Sequence, residues 1–330
     1  MKKQSLIFFV IIFFLTTVIS GCGVKEEDPL KHKTKVGIML SDDGLGDQSF
    51  SDAAFRGLMK ARDDLGIVFD YRELKDTKTY EQGLKELVKE KNDIVIGLGY
   101  MVQEDLEKVA KQYPNQKFVL IDAVSDLPNV TSITFKEDEG SYLAGVIAAL
   151  TTKTKTVGFI GGDKVPLIQK FARGFEEGVK SVDPSIKILT KYAGGNFGDD
   201  KLGARIAKEM IANHSDVLYA AAGFTGVGVL KEAERNHVYA IGVDSDQYFY
   251  AEKAVVTSMM KNVDVAIFNI IKDYKKNKEL PSHPIELGLK ENGVGLAPIR
   301  VIPFTDKDKK ALESAKEKLI NGEKITLHQN

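Results

Sequence analysis

Two aspartates lie where buried strands of the sequence end, and their chemistry suits the binding of hydroxyl groups. Asp122 ends the apolar run Phe118–Asp122, and Asp244 directly follows the apolar run Ala240–Val243. A carboxylate accepts at least two hydrogen bonds, which matches a vicinal diol such as that of a ribose. Helix capping is the alternative role for each residue. We therefore predict that Asp122 and Asp244 bind a ligand that carries hydroxyl groups.

Aromatic and polar side chains in other loops would complete such a site. The loop after the first strand carries Asp47, Ser49 and Phe50, and the glycine-rich loop 194–199 presents Phe197. Two rings on opposing loops suit a planar base, because stacking contributes about 1–3 kcal/mol per base in nucleic-acid-binding proteins. A solvated loop that caps the next helix is the alternative for the first loop. The remaining ligand-binding candidates are Tyr100, Gly223 and Lys261. For Lys261, the alternative is a side chain exposed to solvent.

The sequence shows no motif of a catalytic or metal centre. It has no Walker A sequence, no HExxH and no GxSxG, and its five histidines are scattered. A single cysteine cannot form a disulfide framework or a cysteine-rich zinc site. The glycines of 223–228 have the spacing GxxGxG, which argues against a dinucleotide site. We predict a binding protein that is not an enzyme and that has no catalytic residues, no metal and no cofactor.

From Val36 onward, short apolar strands alternate with amphipathic helices, which indicates parallel sheets with helices on both faces. The pattern breaks at the polar run Thr151–Thr156 and then restarts. We expect an α/β fold in which two doubly wound parallel-sheet lobes surround a ligand cleft. Ligands bind at the carboxyl ends of the strands in such sheets. The predicted lobes are 36–150 with part of 255–284, and 151–254 with part of 285–330.

The beginning of the chain has the pattern of a lipoprotein leader. Residues 1–21 start with positive charge and continue with the apolar run Leu6–Val18, which is too short for a bilayer span of about 20 residues. Ile19–Cys22 resembles a bacterial lipobox, in which the cysteine becomes the lipid-bearing N-terminus. We predict that Cys22 anchors the protein on the extracytoplasmic face of the cell membrane, with 22–35 as a tether.

The charge balance argues against a nucleic-acid partner. The chain has 46 Lys and Arg against 47 Asp and Glu, a net charge of -1, and no long basic run. Nucleic-acid-binding proteins usually carry a basic excess or a basic stripe. A composition of 43% hydrophobic and 28% charged residues is typical of a globular protein. We expect a monomer that binds a small ligand.

Several stretches resemble the basic membrane protein family, also called PnrA-like lipoproteins, which are the substrate-binding proteins of nucleoside ABC transporters. These stretches cover nearly the whole chain after the leader, in order. They are Gly44–Phe50, Phe135–Glu137 with Glu139–Gly145, Val157–Gly162, Ala222–Gly226, Gly242–Gln247 and Thr257–Lys261. The resemblance implies a type I periplasmic-binding-protein fold with two lobes joined by several crossings.

The resemblance also implies roles for the candidate residues. A purine nucleoside would stack between Phe50 and Phe197, and Asp47 would meet the edge of the base. The residues that hold the ribose hydroxyls would be Asp122, Asp244 and Lys261. Where the family usually has Asn after its Ser-Phe pair, this chain has Ser51. If that Asn reads the base, the difference affects base preference or affinity.

The implied function is capture of nucleosides outside the membrane and delivery to an ABC permease. The permease and its ATPase would be separate chains. Because a relative in this family, Med of bacilli, is linked to competence regulation, a surface lipoprotein that regulates gene expression without transport is the alternative. A nucleoside hydrolase is disfavoured by the missing catalytic motif.

Overall fold

Two six-stranded sheets dominate the computed structural model of the protein. The structure describes Leu30 and residues 32–322. The predicted leader, Cys22 and the tether as far as residue 29 therefore lie outside the described residues. Among the residues that it does describe, no helix has the length and apolar character needed to cross a membrane.

The first sheet is parallel throughout, in the order β11-β5-β4-β3-β1-β2. Its strands are β1 (Lys35–Met39), β2 (Val68–Arg72), β3 (Ile94–Leu98), β4 (Lys117–Ile121), β5 (Val130–Phe135) and β11 (Ile285–Leu287). The helices between them are α1 (Phe50–Leu65), α2 (Leu74–Thr77), α3 (Tyr80–Lys89) and α4 (Gln103–Gln112).

The second sheet repeats this arrangement in the order β12-β10-β9-β8-β6-β7, with β12 antiparallel to β10 and the other pairs parallel. Its strands are β6 (Thr156–Gly161), β7 (Lys187–Tyr192), β8 (Val217–Ala221), β9 (Tyr239–Asp244), β10 (Val255–Lys261) and β12 (Val294–Leu296). The remaining helices are α5 (Glu137–Thr151), α6 (Pro166–Val182), α7 (Asp200–Ala212), α8 (Gly223–Arg235), α9 (Val263–Asn277) and α10 (Asp306–Ile320).

Burial explains why the inner strands read as unbroken apolar runs. Every residue of β3 and of β8 is buried, because helices cover both faces of each sheet. In the first sheet β1 lies between β2 and β3, and in the second sheet β6 lies between β7 and β8. This is the doubly wound order, and it places the ligand crevice at the carboxyl ends of the strands. The predicted α/β fold with two doubly wound parallel sheets is confirmed.

Within the described residues, three segments pass from one sheet to the other, after β5, after β10 and after β11. Helix α9 packs against α1 on the first sheet, whereas α5 packs against α6 and the second sheet. The first crossing therefore comes at Lys136, earlier than the predicted lobe boundary at 150/151. The polar run that suggested that boundary is the turn between α5 and β6.

Close backbone packing holds α5 against α6. A Cβ on Gly145 would lie 2.2 Å from the carbonyl oxygen of Phe175, and a Cβ on Gly178 would lie 2.0 Å from that of Tyr142. Only glycine permits this approach. Helix α5 begins at Glu137 and has three acidic residues in its first turn. Carboxylates there interact favourably with the helix dipole.

Candidate functional site

A cavity lies between the carboxyl ends of the strands of the two sheets. Its empty volume is about 670 Å³, counting the space that opens to solvent. Eight of the nine predicted ligand-binding residues line it, namely Asp47, Phe50, Tyr100, Asp122, Phe197, Gly223, Asp244 and Lys261. The ninth, Ser49, is not part of the lining but donates a hydrogen bond to Asp244.

Lys261 is the cation of this cavity lining. It ends β10, is 2% exposed, and donates from Nζ to Oδ2 of Asp122 at 2.6 Å. The ring centroids of Phe50, Phe135 and Phe171 lie 5.1, 5.0 and 5.6 Å from the ammonium. Burial alone would lower the pKa of Lys261, but the surrounding carboxylates outweigh it and the net pKa is raised. The lysine is therefore charged, and the alternative of a solvated lysine is wrong.

Asp122 has one oxygen engaged and one free. Oδ2 accepts from Lys261, whereas Oδ1 is buried without a hydrogen-bond partner. The residue is 8% exposed and lines the cavity. Burial raises the pKa of its carboxyl, and the charge of Lys261 opposes this rise. An unpaired carboxylate oxygen at the wall of a cavity is an acceptor that a ligand hydroxyl can use.

Asp244 closes the cavity from the second sheet. Its Oδ2 accepts a hydrogen bond from the hydroxyl of Ser49, which precedes α1 on the first sheet. Burial raises the pKa of Asp244, and Lys261 and Ser49 oppose the rise. Neither Asp122 nor Asp244 caps a helix in the structure, because Asp122 is bonded to Lys261 and Asp244 to Ser49.

Asp47 shapes the loop that it belongs to. Its carboxylate accepts backbone N–H groups of Ser49, Ser51 and Asp52, at 2.9, 2.6 and 3.1 Å. These are donors at the start of α1 that have no partner within the helix. Burial raises the pKa of Asp47, and the three backbone bonds oppose it. Asp47 thus both lines the cavity and performs the helix-capping role that the sequence left as an alternative.

The two predicted aromatic walls come from opposite sheets. Phe50 is the first residue of α1, and Phe197 lies in the loop between β7 and α7. The ring of Phe197 packs over Gly162, where a Cβ would lie 2.1 Å from its Cε1 atom. Glycine at 162 therefore sets how close that ring can lie to the end of β6. Both rings line the same cavity.

Part of the cavity lining was not predictable from the sequence motifs. Leu167, Ile168 and Phe171 of α6 contribute an apolar wall. Their position just after β6 was the available clue, because the first turns of that helix lie at the same sheet edge. The other lining residues not predicted are Ser41, Asp42, Asp43, Leu98, Gly99, Met101, Ala221, Ala222 and Val243.

The mouth of the cavity is acidic. Asp43 is exposed there, yet the surrounding protein partly desolvates its carboxylate. Desolvation, followed by the charges of Asp42 and Asp47, raises the pKa of Asp43 to about 6. Desolvation also raises the pKa of Asp42, while backbone hydrogen bonds oppose it. The lining as a whole therefore carries more acidic groups than the charge of Lys261 can balance.

Ser51, which stands where the family usually has Asn, does not line the cavity. Its side chain is fully buried, and its Oγ lies 2.6 Å from Oγ of Ser41. Ser41 is the member of this pair that faces the cavity. The replacement of the family's Asn by Ser51 therefore changes the residue that hydrogen-bonds to Ser41, and Ser41 in turn lines the cavity.

Direct contacts join the two halves over the cavity. Besides the Ser49–Asp244 bond, Nη2 of Arg56 donates to Oγ of Ser245 at 2.7 Å. Nε2 of Gln247 donates to the backbone carbonyl of Gln48 at 3.2 Å. Each of these pairs links the start of α1 or the loop before it to the segment after β9. The two halves are thus in direct contact at Asp244, a residue of the cavity lining.

Comparison with known proteins gives the family. The model of PnrA-like ABC transporter substrate-binding proteins matches residues 34–329. The "ABC transporter nucleoside-binding protein BmpA" of Lactococcus lactis subsp. cremoris is 32% identical over 99% of this chain and 99% of its own length. The "CD4+ T-cell-stimulating antigen" of Listeria monocytogenes is 34% identical over 98% of both chains.

A solved structure supports the same conclusion. An ABC transporter solute-binding protein from Aeropyrum pernix K1 superposes with a TM-score of 0.80 and 28% identity, covering 88% of this chain and 92% of its own. The predicted type I periplasmic-binding-protein fold is confirmed by this likeness together with the two doubly wound sheets. The chain therefore belongs to the family of PnrA-like ABC transporter substrate-binding proteins.

Proposed function

We propose that this protein is the nucleoside receptor of an ABC importer. The observation that carries the proposal is the free Oδ1 of Asp122, which is buried at the wall of the cavity without a donor. A buried polar atom without a partner destabilises a fold by about 1–3 kcal/mol. A ribose hydroxyl would supply the missing donor, and Asp244 would accept a second one.

The remaining walls fit the base of the same ligand. Phe50 and Phe197 supply aromatic faces from opposite sheets, and Asp42, Asp43 and Asp47 supply acceptors. Purines present N–H groups at their edges, which carboxylates accept. The relative from Lactococcus lactis is named as a nucleoside-binding protein. A purine nucleoside is therefore the ligand class that we propose.

The proposed cycle starts outside the membrane, with Cys22 as the lipid attachment site. The two sheet-bearing lobes open, admit the nucleoside and close over it through contacts such as Ser49–Asp244. Because both lobes share the ligand, binding favours the closed state. A single copy of the closed protein then delivers the nucleoside to a permease driven by a separate ATPase.

Titration calorimetry tests the proposal with guanosine, inosine, adenosine and cytidine, and free ribose serves as the control. We expect heat and a raised melting temperature with at least one purine nucleoside, and none with ribose at the same concentration. No response to any nucleoside contradicts the proposal. Uptake of labelled inosine by cells that lack the protein separates import from the regulatory alternative, because unchanged uptake contradicts import.

A further inference from the structure

Glu137, a residue outside the cavity lining, contacts the cation of the site. It is the first residue of α5, it is fully buried, and its Oε1 lies 3.1 Å from Nζ of Lys261. Its Oε2 lies 3.6 Å from Nζ of Lys170 on α6. Neither oxygen makes a hydrogen bond. Glu137 is therefore an ionic partner of Lys261 that does not belong to the cavity lining.

The geometry of Lys261 makes this contact important for the ligand. An ammonium has three N–H donors, and Asp122 takes one of them through Oδ2 alone. The other acceptors nearby are Oδ1 of Asp122 and the carboxylate of Asp244, which are the atoms that a ligand hydroxyl needs. Apart from Glu137, Asp122 and Asp244 are the carboxylates that act on Lys261.

We propose that Glu137 is a positioning residue, whose contact with Lys261 holds the ammonium on Oδ2 of Asp122 and so keeps Oδ1 of Asp122 and the carboxylate of Asp244 available to ligand hydroxyls. The inference rests on the proposed nucleoside function, and it assigns Glu137 a part in selecting ligands with a complete ribose. Glu137 would not touch the ligand.

The charges around Glu137 give the proposal a second observable. The titratable or charged groups that face it are Lys261 of β10, Lys170 of α6, Asp122 after β4, Asp244 of β9 and Tyr219 of β8. Burial raises the pKa of Glu137 itself. Burial is also the largest cause of the raised pKa of Asp244, and the negative charge of Glu137 adds to it. Removing that charge should lower the pKa of Asp244.

The test measures the affinity of the full chain in detergent for inosine and for 2′,3′-dideoxyinosine, which lacks the 2′- and 3′-hydroxyl donors. We expect Glu137→Gln to lower the affinity for inosine about tenfold, the effect of 1.4 kcal/mol. The affinity for dideoxyinosine should stay unchanged. The pH at which inosine affinity falls on acidification should also move to a lower value. Glu177→Gln is the matched control, because Glu177 is another buried glutamate with an unpaired oxygen, on α6.

Each other outcome contradicts the inference. Unchanged inosine affinity, an equal loss for both probes, or an unmoved pH midpoint would exclude the positioning role. If Glu137→Gln does not fold, Glu137→Asp keeps the charge but shortens the reach, and the same selective loss of inosine is expected. If the unmodified protein binds neither probe nor any other nucleoside, the proposed function itself fails, which is a different result.

Discussion

Asp122 and Asp244 occupy equivalent positions in the two sheets. Asp122 follows β4, which lies between β3 and β5, and Asp244 ends β9, which lies between β8 and β10. Both have left-handed backbones, with φ of 69° and 63°. That conformation is uncommon for residues other than glycine, although Asp and Asn adopt it more readily than most. The two halves thus bring one aspartate each, in the same backbone state, to one cavity.

The first prediction concerns the charge of these aspartates. Because Asn tolerates the left-handed backbone, Asp122→Asn and Asp244→Asn remove the carboxylate with little backbone strain. Hydrogen bonds to charged groups contribute about 1.5–3 kcal/mol. Each change should therefore lower the affinity for inosine, measured by calorimetry, at least about tenfold. The matching Ala variants should also lower the melting temperature. Full inosine affinity in both Asn variants would exclude the proposed ribose contacts.

The second prediction concerns the aromatic walls. Phe50→Leu and Phe197→Leu keep an apolar side chain but remove the ring. Loss of about 1–3 kcal/mol of stacking should lower the affinity for purine nucleosides by about tenfold or more. Phe249→Leu is the control, because Phe249 is 74% exposed and does not line the cavity. Equal affinities for all three variants would contradict a base held between Phe50 and Phe197.

The third prediction follows from the negative net charge of the cavity lining. Five aspartates and one lysine line the cavity, namely Asp42, Asp43, Asp47, Asp122, Asp244 and Lys261. Placing like charges together costs several kcal/mol, so inosine 5′-monophosphate should bind at least about 100-fold more weakly than inosine. The uncharged 5′-O-methylinosine separates charge from size. If the methyl ether is rejected as strongly as the phosphate, steric exclusion replaces our explanation.

The fourth prediction concerns stability and pH at Asp43. Its pKa is raised from 3.8 to about 6 in the folded protein, so the folded state binds more protons than the unfolded state between these values. Stability should therefore fall as pH rises through this window. Asp43→Asn should raise the melting temperature at pH 7.5 by roughly 2 °C, since solvent screens part of the charge. The gain should vanish near pH 4, and a gain independent of pH would point to another cause.

Strand ends were predictable from the sequence because parallel strands bring their carboxyl ends to one edge. This placed Asp122, Asp244 and Lys261 together before any contact was known. The partners of these residues were not predictable in the same way. Ser49 lies 195 residues before Asp244, and no local pattern relates a helix-capping loop to a distant strand end.

Glu137 shows why part of the site escaped the sequence analysis. An acidic residue in the first turn of a helix ordinarily faces solvent and complements the helix dipole. Its burial depends on α5 lying against the second sheet, which only the packing of its glycines on α6 reveals. The short strand β12 was not predicted either, because three residues carry too little periodicity to be recognised.

The late return of the chain to the first sheet affects the order in which the protein can fold. Strand β11 supplies the edge of the first sheet beside β5, yet it lies 150 residues or more further along the chain. A nascent chain released before Leu287 would lack strands of both sheets at once. The complete edge of the first sheet beside β5 can therefore form only after residues 285–287 have been synthesised.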